Sequence, residues 1–176
     1  ESIPLVFSNV KLGSLPGTTG SYFNTPDSAA ASITGDIDIR VYAAIKDWTP
    51  TNTNFFLSKL PAAGNRSYDL YLRTDGKLEI RFSSDGTTVN AGTSTVATGI
   101  TDGTASWVRV TRASASGTVI FYTSSDGSSW SKLGSTISAT SGSLFDSTAS
   151  VEVGSREGGT SPSTGHIFRA QIYNGI

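Results

Sequence analysis

Residues 36–45 read Asp-Ile-Asp-Ile-Arg-Val-Tyr-Ala-Ala-Ile, with Ile37, Ile39, Val41, Ala43 and Ile45 at every second place. Asp36, Asp38, Arg40, Tyr42 and Ala44 fill the alternate places. Successive side chains of an extended strand point to opposite sides, so this order makes one apolar face and one polar face. On a helix the same order would spread apolar groups around the whole circumference. The segment is therefore read as a strand buried on one side, and such a strand needs a second layer to cover it.

The pattern recurs along the chain. In SYDLYLRTDGKLEIRF, Tyr68, Leu70 and Leu72 share a face, and Leu78, Ile80 and Phe82 return on it. Thr74-Asp75-Gly76-Lys77 between them reads as a hairpin turn of type I′. Ser84-Asp85-Gly86 marks a further turn. WVRVTRA sets Val108 and Val110 against Trp107, Arg109 and Thr111. GTVIFYTSSDGSSWSKLG forms a second hairpin around Asp126-Gly127, with Trp130 expected to pack across it. ASVEVGS supplies Val151 and Val153, and HIFRAQIYNGI sets Phe168, Ala170 and Ile172 against Arg169, Gln171 and Tyr173.

Stretches 11–21, 49–54, 87–104, 134–150 and 155–165 are rich in Gly, Ser, Thr and Pro and read as loops, with an edge strand expected within 87–104. At most one helical turn is expected, near Pro26 to Ala31 or Ser143 to Asp146. Short strands with turn-rich links define an all-β chain, an antiparallel two-sheet β-sandwich. Its 176 residues suit a single domain spanning 1–176.

Composition narrows the function. With 28 Ser, 23 Thr and 19 Gly, the chain is poor in helix formers. Charged residues are 15% of the total and the formal net charge is −1, so nucleic acid is not an expected partner. No apolar run is long enough for membrane insertion. The absence of Cys excludes disulfides, thiol catalysis and thiolate metal sites. The absence of Met leads to the expectation that the chain is a piece of a longer polypeptide.

The succession SYFNTPDSAAASITGDIDIRVYAAIKDWTP, FLSKL, SYDLYLRTDGKLEIRF, SWVRVTR, TVIFYTSSDGSSWSKLG, VEVGS and GHIFRAQIYNGI covers the chain from about residue 20 to its end. It resembles the concanavalin A-like jelly roll and, within it, laminin G-like domains of bacteriophage virion proteins (tail, fibre or decoration) and of some secreted bacterial proteins. The resemblance implies a non-catalytic structural or adhesion module at a virion surface or in an extracellular setting. Its implied partners are other virion proteins and host-surface glycans, in an oligomeric assembly. A carbohydrate-binding module of a secreted bacterial protein and a glycan hydrolase stand as alternatives, because this fold hosts many functions.

Tests for chemistry return little. Laminarinase-like relatives place three carboxylates along one strand, to flank a glycosidic bond with a nucleophile and an acid. Here Asp36 and Asp38 are followed by Arg40 and Val41, so the acid/base is missing. In Ser124-Ser125-Asp126-Gly127-Ser128-Ser129-Trp130 the Asp and Gly are adjacent, which fits a tight turn and not a sialidase Asp-box. His166, the single histidine, has no nucleophile motif around it. No cofactor is required. Oxygen ligands leave room for a structural Ca²⁺, with Asp27, Asp47, Asp69, Asp102 and Asp146 as candidates in or near loops.

The polar strand faces remain. Arg40 and Tyr42, Tyr71 and Arg73, Arg81, and Trp107 with Arg109 interleave aromatics with arginines, and Trp48 sits in the loop DWTPTNTN. If these faces share one sheet, they form a surface suited to sugars, with rings against C–H faces and forked donors on hydroxyls. These are the candidate ligand-binding residues.

Overall fold

A computed structural model describes residues 14–176 and, as backbone only, residues 5–7. Among the described residues fourteen strands, numbered in chain order, form two antiparallel sheets. The larger sheet runs β1 (Leu5–Phe7), β14 (Thr164–Asn174), β4 (Ile37–Ile45), β9 (Ala105–Arg112), β10 (Thr118–Ser124) and β11 (Ser131–Lys132). β2 (Ser14–Pro16) extends it beside β14, and β12 (Ile137–Ser138) beside β10. The smaller sheet runs β3 (Phe23–Thr25), β13 (Val151–Val153), β5 (Asn54–Ser58), β6 (Tyr68–Leu72), β7 (Leu78–Phe82) and β8 (Asn90–Thr93). The expected two-sheet sandwich is thus present, and β8 is the edge strand expected within 87–104. No helix occurs among the described residues. Residues 28–32 make a single turn, in which the amides of Ala31 and Ser32 both donate to the Ser28 carbonyl. The loop expected at 11–21 contains β2, and its residues 11–13 lie outside the described residues.

The alternating stripe of β4 does what its period requires. Ile37, Ile39, Val41, Ala43 and Ile45 are all sealed from solvent. They meet Leu70, Leu72, Leu78, Ile80 and Phe82 of the opposing sheet in one continuous core. Each fully buried Ile, Leu or Val contributes about 1.5–3 kcal/mol through lost apolar exposure. Tyr68 reaches across that core and donates its hydroxyl to the Ala31 carbonyl at 2.8 Å.

Two β-bulges break the period, each with a consequence on the outer surface. The register of β14 against β4 shifts between Ile167 and Arg169. Ile167, Ala170 and Ile172 face the core, and Phe168 stands 41% exposed outside. This corrects the placement of Phe168 on the apolar face: the extra residue of a bulge flips the sides on which its neighbours fall. In β5 the register shifts between Phe55 and Leu57, which lets Phe56 and Leu57 both join the core and leaves Phe55 outside beside Tyr71.

The hairpin turns also differ in detail from the expected type I′. Gly76 has φ +74°, whereas Asp75 keeps a negative φ, and Arg73 closes the loop with its amide on the Lys77 carbonyl. A single left-handed residue at the end of a longer loop is the bulged hairpin geometry, not the two-residue turn. Gly127 with Asp126 follows the same form. There the Asp126 carboxylate accepts the amides of Ser128 and Ser129, and these bonds hold it well below the usual carboxylate range.

Lys59 is buried, and its ammonium group is held by Asp27, which lies in the segment preceding the 28–32 turn. That bond lowers the Asp27 pKa. Asp27→Ala is expected to cost about 3–5 kcal/mol, because it strands a buried cation. Urea denaturation of the two proteins measures it, and a loss below about 1 kcal/mol would show that Lys59 finds water in the folded state.

Candidate functional site

The candidate ligand-binding residues do not share one surface. Arg40 and Tyr42 on β4 and Trp107 and Arg109 on β9 project from the outer face of the larger sheet, where Arg40 pairs with Arg109 and Tyr42 with Trp107. Tyr71, Arg81 and, just past the end of β6, Arg73 belong to the outer side of the smaller sheet. The two surfaces lie on opposite sides of the core. Trp48 belongs to neither: it is 1% exposed, stacks at an angle on Phe56 in the core, and donates its amide to Asp102 at 2.8 Å. It therefore packs at the base of its loop and offers no ring to a ligand.

On the smaller sheet, two guanidiniums converge on one ring. Arg81 lies 5.3 Å from the centre of Phe55 and 5.0 Å from that of Tyr71, and Arg156 lies 5.3 Å from that of Phe55. Phe55 and Tyr71 stack at 4.8 Å beneath them. Arg81 grips the fully buried Asp69 with both prongs of its fork. Burial pushes Asp69 up to about 6 even against the opposing pull of Arg81. Glu79 alongside accepts the Tyr71 hydroxyl, Arg73 at 2.6 Å and Thr93 at 2.6 Å. Burial works against its charge, and these bonds outweigh burial to hold its pKa below the ordinary value.

Arg156 is different, because its buried Nε has no acceptor among the described residues. Its ion pair is a long one, 3.6 Å to the neighbouring Glu157. The loop that carries it is strained and firmly held. Arg156 and Thr160 bond to each other through their backbones, closing a tight turn. Glu157 and Ser161 take positive φ values of 46° and 48°, a conformation costly for residues with a Cβ. From below, the Glu152 carboxylate accepts the Ser155 hydroxyl and the amides of Gly158 and Gly159. Gly159, at φ +92°, passes so close to Gly20 that a Cβ there would come within 2.7 Å of its Cα. Beside the turn opens a cavity of about 390 Å³ lined in part by Ser58, Leu60, Glu152 and Glu157.

On the larger sheet, Arg40 and Arg109 both clamp Asp38, whose side chain is 2% exposed. Arg109 does so at 3.0 and 2.8 Å. Tyr173, Trp130 and Tyr122 flank the two guanidiniums. Trp130, expected to pack across its hairpin, instead lies on this outer face with its edge toward Trp107. Tyr42 stacks on Trp107 at 5.2 Å and also contacts Phe168, against which the exposed His166 stacks.

The carboxylates considered for catalysis are occupied. Asp38 is held by the two arginines, and Asp36 accepts the amide and hydroxyl of Ser114. The calcium candidates are dispersed: Asp27 pairs with Lys59, Asp69 with Arg81, Asp47 accepts Thr49, Asp102 accepts Trp48, and Asp146 is exposed. Among the described residues no group of three or more His, Asp or Glu side chains is placed to hold a metal.

No protein-family model matches the sequence, and neither does any curated protein. Solved structures do match. The carbohydrate-binding module CBM40 of the Ruminococcus gnavus IT-sialidase, bound to α2,3-sialyllactose, superposes with a TM-score of 0.71 at 14% identity, over 98% of this chain and 92% of that one. The fold is the concanavalin A-like jelly roll. Domains LG4-5 of the mouse laminin α1 chain match this jelly roll with a TM-score of 0.61 at 12% identity, over 92% of this chain and 41% of that one. A botulinum neurotoxin DC binding domain, in complex with SialylT, matches with a TM-score of 0.62 at 10% identity, over 98% and 43%.

Arg156 and Phe55 were not among the sequence candidates. Arg156 sits in a segment of small residues that reads only as loop, and Phe55 is turned to the outer side of its sheet, buried beneath the two arginines, through a bulge that no alternation rule anticipates.

The raised pKa of Asp69 has a definite sign. Between its unfolded and folded values the folded chain holds the extra proton, so this group's contribution to stability grows as pH falls from about 6 toward 4. Asp69→Asn cannot titrate. The stability of wild type relative to this variant is expected to rise as pH falls over that interval in urea titrations at stepped pH. A constant gap would show that Arg81 keeps Asp69 ionised throughout.

Proposed function

We propose that this domain is a non-catalytic glycan-binding module that holds the carboxylate of an acidic sugar between Arg156 and Arg81. The observation that carries the reading is the Arg156 guanidinium, partly exposed, held among the described residues by one long ion pair of 3.6 Å to Glu157, and set beside a second guanidinium above one ring. Arginine presents planar paired donors that match a carboxylate, and such charge-assisted bonds are the strong ones. The rigid turn fixes the donors before ligand arrives, which cuts the ordering cost of binding. Two of the similar structures, the Ruminococcus gnavus modules, are bound to sialyllactose, whose terminal sugar bears a carboxylate. Asp69 and Glu79, the carboxylates within the cluster, are tied to fixed donors, which supports binding without hydrolysis.

The setting is an extracellular or particle surface. The order of the strand segments, with its likeness to laminin G-like modules of phage virions, supports a virion protein that meets host glycans. A module of a secreted bacterial protein is the other setting for the same site. Sequencing the polypeptide around this domain separates them: fibre or capsid sequence marks the first, a signal peptide with a hydrolase domain the second.

Calorimetry with sialyllactose and lactose, each with Ca²⁺ and with EDTA, tests the site. Binding of sialyllactose alone is expected. Arg156→Ala is expected to weaken it by about tenfold or more, the value of a charge-assisted bond. Glu157→Gln is expected to tighten it by removing the competing carboxylate. Equal binding of lactose, or an unchanged affinity in Arg156→Ala, would refute the site.

A further inference from the structure

The outer face of the larger sheet carries more cations than its one buried carboxylate answers. Arg40 and Arg109 are direct cross-strand partners, an arrangement that repels unless an anion intervenes. Asp38 intervenes, but one carboxylate answers two guanidiniums, leaving the cluster with one uncompensated positive charge. Each arginine spends its Nε and one terminal nitrogen on Asp38. The other terminal nitrogen of each has no acceptor among the described residues. Stacked rings pin both guanidinium planes, with Tyr173 at 4.5 Å from Arg40 and Tyr122 at 5.0 Å from Arg109.

Two further cations share the face. Arg169 is the direct partner of Tyr42, exposed, and without an ion pair among the described residues. Lys132 is the direct partner of Tyr122, and its ammonium group bonds only the neutral Thr136 hydroxyl. Four cations thus stand against Asp38 on one face of a chain whose net charge is −1. Arg40, Arg109 and Lys132 follow one cross-strand row. They span β4 to β11, three strand spacings of about 4.8 Å each.

We propose that this face is a second binding surface, for a linear polysaccharide carrying a carboxylate on successive sugars, laid across the strands along the Arg40–Arg109–Lys132 row. Charge complementarity selects the occupant. A second copy presenting the same face would bring four cations against four. Single-stranded nucleic acid needs free ring faces for its bases. Here Tyr42, Trp107 and Phe168 spend theirs on one another. The aromatic ladder serves instead as a rigid apolar wall beside the charged row. Lying on the side of the sandwich away from Arg156, this surface gives the domain two independent contacts, so one molecule can bridge two acidic glycan chains.

The test uses oligogalacturonate, in which every sugar carries a carboxylate, against uncharged cello-oligosaccharide of equal length. It is run on Arg156→Ala, where the first site is weakened. Arg40→Ala leaves Arg109 on Asp38, so no buried charge is stranded, and Arg169→Glu alters an exposed side chain. Oligogalacturonate is expected to bind Arg156→Ala, and the added pair of substitutions to weaken it by about tenfold or more. Affinity unchanged by that pair, equal binding of the neutral oligomer, binding of oligothymidylate at this face, or self-association abolished by Arg169→Glu would each overturn the proposal. Binding of oligogalacturonate with no binding of sialyllactose by wild type would leave this surface standing and remove the Arg156 site.

Discussion

The seal between the two sheets is the constraint on which the rest depends. Ile37, Ile39, Val41, Ala43 and Ile45 run down the middle of the larger sheet with no solvent access, against Leu70, Leu72, Leu78 and Ile80 from the other. Because side chains alternate strictly along a strand, a stripe this tightly buried obliges its neighbours Asp38, Arg40 and Tyr42 to stand outside. A register slip by one residue would bury two charges and expose five apolar groups. The outer surfaces are therefore as well defined as the core.

Charge on those surfaces is organised in the same manner on both sides, with an arginine fork on a nearly inaccessible carboxylate and aromatic rings beside it. Arg81 with Asp69 over Phe55 and Tyr71 repeats the logic of Arg40 and Arg109 with Asp38 beside Tyr173 and Tyr122. A buried carboxylate costs several kcal/mol in lost hydration unless it is fully bonded. The arginines answer that cost, and the rings restrict the arginines. What differs is the surplus. On the larger sheet it is the second guanidinium on Asp38. On the smaller sheet it is Arg156, delivered by a loop and not by a strand.

That difference explains how much of the site could be read in advance. The rows Asp38-Arg40-Tyr42, Asp69-Tyr71 and Glu79-Arg81 follow from period two alone, and so does their outward direction. Phe168 and Phe55 did not follow, because a bulge inserts a residue and reverses the count beyond it. Arg156 did not follow either. Its position comes from Glu152 holding three donors of the turn, from positive φ at Glu157 and from the close approach of Gly159 to Gly20. None of these leaves a periodic trace in the chain.

By itself, then, the sequence determined the architecture: strands, their buried sides, and an antiparallel sandwich, since burying an alternating stripe admits few other solutions. It also determined which residues would face water along each strand. Only the tertiary structure decided which outward rows are neighbours. Arg40 and Tyr71 lie on similar polar strand faces, yet the chain's path between sheets sends them to opposite surfaces. Whether two such rows meet depends on strand order, a property of contacts distant in sequence, and alternation is silent about it.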